Sequence, residues 1–329
     1  MTAIPKILSI TRYRVVFQAL EPLDLPAYLG STLRGAFGHA FRAVACPSRT
    51  GEPCPIPSQC PYHLIFETSP PPGSDALRTH DEIPRPFVIA PADSDQVSSD
   101  GQARRLFQSR DEVSFELVLI GRAKEFFPYF VVALREVNRI GRGRQAVELR
   151  RIDSLDAFSN DSRSVYTAAE NLVRGSAKTI SIEDCKWQGL QPVTSQLTIQ
   201  FLTQTRLKHE GRFARTPEFQ ILFRRLLGRL SSLSRFHCGA PLEVDFRELI
   251  DAAASIRLTH DDTKWTRWQR YSSRQDRRME WEGIVGRAMY EGDFAPFWKY
   301  LRFGQFVHAG HGATFGLGKY RIRESENGK

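Results

Sequence analysis

No run of the 329-residue sequence is long and apolar enough for a bilayer-spanning helix, and the N-terminal MTAIPKILSITRYRVVF has no continuous apolar core of the signal-peptide kind. A cytoplasmic protein without a membrane partner is expected. Cysteine is scarce, at five residues, and an odd count in a chain of this length argues against a disulfide-built scaffold. Acidic residues are fewer than basic ones, 37 against 46, and the net charge of +9 favours an anionic partner, nucleic acid being the commonest. The bias of a disordered chain is missing too, since 41% of residues are hydrophobic and 25% charged. There is no HExxH, no DxD pair on a strand, no GxSxG and no Cys-His protease arrangement, which leaves a metal-dependent hydrolase without a motif. The glycine-rich GHGATFGLGKY at 310–320 matches neither GxxxxGK followed by Ser or Thr nor a strand-to-helix GxGxxG, because Tyr320 and a strand-like RIR follow Lys319. That stretch is either a turn needed for tight chain reversal or a loop that admits an anion.

What is present reads as two domains, at roughly 150 residues each. From Ser9 the chain alternates, with Thr11, Tyr13, Val15 and Phe17 on one face of a strand. A helix follows, with Ser31 or Thr32 as N-cap, Leu33, Phe37, Ala40, Phe41 and Val44 inward, and Gly35, Gly38, His39 and Arg42 on the opposite side. YHLIFE (62–67) reads as a short strand. Residues 68–110 read as a surface insertion around an extended PRPFVIAP. SFELVLIG (114–121) is expected to be a strand, 126–140 a helix, GRGR a turn and AVELRRI a strand. The order is βαββαβ, a ferredoxin-like pattern.

The second half repeats it. SQLTIQFLT (195–203) alternates as a strand, 216–236 is a helix with Arg225 and Arg229 outward, and PLEVDFRELIDAAAS adds a helix. KWTRWQRY, MEWEGIVGRAMYEG, a short helix at APFWKYLRF and a closing GKYRIR strand complete the repeat. The fold class is therefore α+β, as tandem ferredoxin-like (RRM-like) βαββαβ domains. Their expected extents are 1–190, with Cys-containing and Pro-rich insertions, and 191–329, with a glycine-rich loop at 310–318; the boundary lies in the polar stretch from Gln191 to Ser195.

Three constellations carry chemistry. In KWTRWQRYSSRQDRR, Lys264, Arg267, Arg270, Arg274, Arg277 and Arg278 interleave with Trp265, Trp268 and Tyr271. Guanidinium groups neutralise phosphates and rings stack on unpaired bases, so this set suits RNA; a hairpin with a solvated charged face and a buried aromatic face has the same pattern. His39 lies on a polar helix face, and an imidazole there can move a proton near neutrality or simply be solvated; His308 and His311 open the glycine-rich stretch. Cys46, Cys54 and Cys60 stand in the spacing C-x7-C-x5-C without the tight CxxC pair zinc usually takes. They are either metal ligands, with His63 or Cys238 as the fourth, or buried free thiols.

GSTLRGAFGHAFRAVAC, CPYHLIFE, RPFVIAP, FELVLIGRA and HAGHGATFGLGKY resemble the CRISPR-associated endoribonuclease that processes precursor CRISPR RNA, of the RAMP (repeat-associated, ferredoxin-like) superfamily. The resemblance runs over nearly the whole chain and is strongest at its two ends. It implies a metal-independent endoribonuclease in which the ribose 2′-OH attacks the adjacent phosphate, leaving 2′,3′-cyclic phosphate and 5′-OH ends without a cofactor. The histidine such enzymes use in the first helix corresponds to His39. The glycine-rich loop is implied to hold RNA backbone, with Gly316, Gly318, His311 and Lys319 facing it. Arg34, Arg42, Arg225 and Arg229 join Lys264, Arg267, Arg270 and Arg274 as candidate RNA contacts, and Tyr13, Arg34 and Arg42 are candidates for an auxiliary catalytic role. Partners implied are repeat RNA and subunits of a CRISPR effector complex. Two other readings keep part of these features: a non-catalytic guide-RNA subunit, and a zinc-stabilised protein-interaction module resting on the cysteines.

Overall fold

The computed structural model describes residues 7–48, 52–68, 83–92, 104–159, 161–186, 195–272 and 277–324, and only the backbone at 268–272, 277–280 and 324. The chain divides into two compact units, one formed by residues 1–92, 104–180 and 232–241, the other by 93–103, 181–231 and 242–329. Residues 191–194, in the stretch expected to hold the domain boundary, lie outside the described residues.

The first unit is built on β1 (Ser9–Ala19), whose apolar residues are buried while Arg14 faces solvent. It is followed by α1 (Gly30–Ala45), α2 (Pro61–Ile65), β2 (Phe87–Pro91), β3 (Glu112–Ile120), α3 (Phe127–Glu136), β4 (Gln145–Leu155) and β5 (Ser162–Thr167). The sheet order is β2-β3-β1-β4-β5, antiparallel throughout, with β1 pairing β3 from Ile10↔Ile120 to Gln18↔Glu112. Across β2-β3-β1-β4 this is the ferredoxin-like arrangement, in which the first and last strands of the βαββαβ run are neighbours. Leu33, Phe37, Phe41 and Ala45 recur at helical spacing and form the buried stripe of α1. That stripe meets Phe66, Phe87 and Phe130 in an aromatic cluster with Phe37 centroids 5.6, 6.4 and 5.1 Å away, respectively.

Four local expectations are corrected. YHLIFE is not a strand: Pro61 opens a one-turn helix, and Tyr62, Ile65 and Phe66 are buried at helical, not alternating, spacing. Its place in the βαββαβ run is taken by the FVIAP of PRPFVIAP, buried at every residue and paired from Phe87↔Leu119 to Pro91↔Phe115, so it is core and not a surface insertion. A strand covered on both faces shows no alternation, and its flanking prolines disguise it as loop. The N-cap of α1 is Leu29 with no side-chain cap, so Ser31 and Thr32 already lie inside the helix; burial of Leu29 and Leu33 starts it earlier than a capping hydroxyl would. The helix expected at 126–140 is shorter, ending at Glu136, with Arg139–Ile140 forming a two-residue strand.

The second unit repeats the plan with β6 (Gln196–Thr205), α4 (Phe219–His237, of which residues 232–237 are assigned to the first unit), α5 (Phe246–Ala253), β7 (Arg257–Ser272), β8 (Arg277–Glu291), α6 (Trp298–Val307) and β9 (Tyr320–Glu324). Its sheet order is β7-β8-β6-β9, again antiparallel and again the ferredoxin-like order. Phe219 and Phe223 of α4 pack edge-on against Phe297, with centroids 5.2 and 4.7 Å away. Two βαββαβ units in tandem are thus present, as the sequence pattern implies. Among the described residues no helix is long and apolar enough to cross a membrane.

Candidate functional sites

In the first unit, His39 is exposed on α1 and makes no hydrogen bond or ion pair among the described residues. One turn on, Arg42 lies over the ring of Tyr62 at 5.4 Å and reaches the Glu52 carbonyl at 3.5 Å; Arg34 lies over Phe66 at 5.3 Å. Their cationic heads are therefore held against α2 and the residue that follows it, by ring contacts worth about 0.5–1 kcal/mol each at such sites. The two glycines beside His39 do different things. A Cβ at Gly35 would meet nothing within 4 Å, whereas one at Gly38 would stand 3.0 Å from Phe66, so Gly38 admits the protein's own core and Gly35 leaves open helix surface. Tyr13 is not available to a substrate: it is buried, stacked on Phe127 at 4.2 Å, its hydroxyl accepting from the Ala177 amide, and burial pushes its pKa up.

The cysteines converge beside this helix. Cys46 is the C-cap of α1 and Cys60 the N-cap of α2. The thiols of Cys46, Cys54 and Cys60 and one imidazole nitrogen of His63 all lie within 4.8 Å of one another. The alternative fourth ligand, Cys238, is not in this group; it is buried near Lys124, and burial pushes its thiol up to about 11.

In the second unit the glycine-rich segment begins where α6 ends. His308 has φ +65°, is buried, and its Nδ1 lies 3.1 Å from the Leu317 carbonyl. Burial first, and then the charges of Lys319 and Arg229, hold its pKa down to about 3. The imidazole is therefore neutral at physiological pH, and Nδ1–H donates to Leu317. Its ring is closed off from solvent and its Nδ1 is committed to the loop's own backbone. The loop's glycines serve close backbone approach within the unit: a Cβ at Gly310 would collide with the Arg206 carbonyl, and one at Gly318 with the Ala309 carbonyl. Nor are the amides of Gly316, Gly318 and Lys319 free for phosphate. They donate to the Ala313 carbonyl, the Gln204 carbonyl and Thr203 Oγ1, at 2.9, 3.1 and 2.9 Å. The expectation that the loop's backbone amides face phosphate therefore meets three amides already committed within the unit.

Those side chains gather on one part of the unit. Arg225 Nε donates to the Lys208 carbonyl and Arg229 Nε to the Val307 carbonyl. Arg229 Nη2 is sealed from solvent and makes no hydrogen bond among the described residues, and burial holds this guanidinium down to about 10. Arg206, which the sequence pattern did not single out, lies over the Phe213 ring at 4.2 Å, and His311 meets that same ring edge-on at 5.8 Å. The signal was there in TRLKHEGRF, a basic hairpin with an aromatic, but it lacks the density of the tryptophan-rich run. In that run, Trp265 and Arg267 lie on the same face of β7, with Trp265 Nε1 and Arg267 Nη2 each 3.3 Å from Glu282 Oε2, while Lys264 is exposed. A clean split into charged and aromatic faces is therefore not seen at these positions. The Arg270 side chain and all of Arg274 lie outside the described residues.

Residues 8–178 match the AF_1859_N family model, described as an N-terminal domain, and residues 199–320 match the model of the CRISPR-associated endoribonuclease Cas6. No curated protein matches the chain. Among solved structures, the chain is similar to Thermus thermophilus Cas6 (TTHB231), with 14% identity, TM-score 0.54, and 96% and 99% of the two chains covered. It is similar to Cas6 (TTHA0078) in a product complex, with 15% identity, TM-score 0.52, and 96% and 99% covered. It also resembles a chain of a partial Cas6-RT-Cas1–Cas2 complex, with 13% identity and TM-score 0.56, covering 99% of this chain and 48% of that one. At these identities the likeness is one of fold.

Proposed function

Because the chain belongs to the Cas6-type CRISPR-associated endoribonucleases of the RAMP superfamily, we propose that it cuts precursor CRISPR RNA within its repeats without a catalytic metal. The ribose 2′-OH attacks the adjacent phosphorus, the 5′ oxygen leaves, and the products carry a 2′,3′-cyclic phosphate and a 5′-OH. His39 moves a proton at the 2′ oxygen or the leaving oxygen. The observation that carries this reading is the unencumbered imidazole of His39 beside the open helix surface at Gly35, with Arg42 one turn away on the same face. Positive charge at a developing phosphorane is stabilising, and Arg42 and Arg34 supply it from fixed ring stacks.

Binding is assigned to the second unit as well, through Arg206, Arg225, Arg229, His311 and Lys319, with Lys264, Arg267, Arg270 and Arg274 as further candidate contacts. Solved Cas6 relatives include a product complex and an assembly with Cas1 and Cas2, which supports repeat RNA and other CRISPR proteins as partners here.

The test is incubation of the purified chain with repeat RNA and with the same RNA carrying one 2′-deoxy nucleotide 5′ of the cut, both during brief exposure to EDTA. Cutting of the first and not the second is expected. Cutting of the deoxy substrate would remove the mechanism, and tight binding without cutting would make the chain a guide-RNA-holding subunit.

A further inference from the structure

Cys46, Cys54, Cys60 and His63 come from three separate points of the chain: the end of α1, the connecting segment, and the start and body of α2. Thiols that merely fill a core pack among apolar side chains and have no reason to converge on one another and on an imidazole. Here Cys46 and Cys60 are buried, while Cys54 and His63 close the group on the side nearer solvent. We propose that these four residues bind a single Zn²⁺ as a structural Cys3His site, joining the C-terminus of α1 to α2.

Four observations support the ion and its class. Three thiolates and one imidazole are a donor set for zinc, and tetrahedral ligands at Zn–S of about 2.3 Å would stand about 3.8 Å apart, within reach of atoms already inside a 4.8 Å span. A cluster of several irons would need its thiolates spread further. Glu67 Oε2 lies 3.8 Å from His63 Nδ1, a carboxylate beside a metal-binding ring of the kind that fixes its orientation. Arg42 stands over Tyr62 and touches the Glu52 carbonyl, so a cation is at hand to offset the single net negative charge that three thiolates and Zn²⁺ leave. With four protein ligands the ion has no open position, so it does not serve as the hydrolytic metal of the reaction proposed above.

The missing CxxC pair is replaced by geometry. Pro61 and the buried Tyr62, Ile65 and Phe66 fold YHLIF into one helical turn, which puts Cys60 and His63, i and i+3, on the same side. The consequence reaches α1. Its exposed side carries His39, and its last turn already meets α2 through Arg42 over Tyr62 and Cys60 Sγ at the Ala45 carbonyl; the metal would add a tie at Cys46.

The test uses the full chain, expressed with zinc in the medium and purified with a thiol reductant and no chelator. Elemental analysis should give one zinc per chain, and refolding with Co²⁺ in place of zinc should give intense visible bands of tetrahedral geometry with thiolate charge transfer in the near ultraviolet. Cys54→Ser changes the least buried thiol and should lower zinc affinity by more than the roughly 10–100-fold that loss of an outer partner costs. His63→Cys should keep one zinc and strengthen the charge-transfer band, whereas His63→Ala should lower affinity and the thermal midpoint. A folded wild-type chain with no zinc after incubation with excess Zn²⁺ would overturn the proposal. So would zinc retained at wild-type affinity in both Cys54→Ser and His63→Ala, or a cobalt spectrum without thiolate charge transfer. Metal content and cobalt spectra are read without RNA, so their failure is separate from failure of the nuclease reading.

Discussion

Lowering the pH should weaken the second unit through one residue. His308 has a folded pKa of about 3, against roughly 6.5 for an unfolded histidine. The sign follows from which state binds the proton. Above about pH 6.5 both states are neutral and the buried imidazole's contribution is fully present; as the pH falls toward the folded value, only the unfolded state takes up a proton, and stability is lost. The slope is about 1.4 kcal/mol per pH unit, so about 2 kcal/mol should go between pH 6.5 and pH 5, out of a ceiling of roughly 5. All five tryptophans lie at or beyond residue 187, within the second unit, so urea unfolding followed by tryptophan fluorescence reads that unit alone in the intact chain. His308→Asn keeps an amide donor near Leu317 and removes the titration. The informative quantity is the difference between the two proteins, because the unit's other titratable groups are common to both. Wild type should lose about 2 kcal/mol more than His308→Asn over that range. Equal pH slopes would refute the buried neutral imidazole.

Gly318→Ala places a Cβ against the Ala309 carbonyl at φ +72°, and should destabilise the second unit by about 2 kcal/mol or more in the same fluorescence assay. An unchanged midpoint would mean the loop is not packed this way. RNA affinity should fall with salt: if about five basic side chains of the second unit meet phosphates, a plot of log affinity against log salt has a slope near −3.5 for single-stranded RNA, about a hundredfold loss between 50 and 200 mM. A flat plot would dispose of an arginine-driven interface. Arg229→Met should lower RNA affinity and also some urea stability, because the Val307 carbonyl loses its Nε donor; unchanged RNA affinity in the folded variant would assign Arg229 to folding alone.

Periodic elements were legible in the sequence and compact exceptions were not. The alternation of β1 and the 3.6-residue repeats of α1 and α4 come from one-sided burial, which writes itself into the order of residues. FVIAP is buried on both faces and carries no such record, while the single turn at YHLIF is too short to display a period. Of the site residues, His39 could be placed on an exposed helix face from spacing alone. The role of the glycine-rich loop could not, because whether a glycine faces a ligand or a carbonyl of its own chain depends on what the fold brings up to it; Gly310 and the Arg206 carbonyl it meets are more than 100 residues apart. Convergence of Cys46, Cys54, Cys60 and His63 was open for the same reason. The fourth partner was decided by the helical turn at α2, which selects His63 over Cys238.

The most direct measurement is the single-turnover rate of repeat-RNA cleavage by His39→Ala, with RNA affinity determined in parallel. The expected result is a rate lower by about a hundredfold or more, the scale for a positioned acid or base, with affinity nearly unchanged because one exposed side chain among many contacts contributes little to binding. Cleavage at the wild-type rate would contradict the assignment of proton transfer to His39.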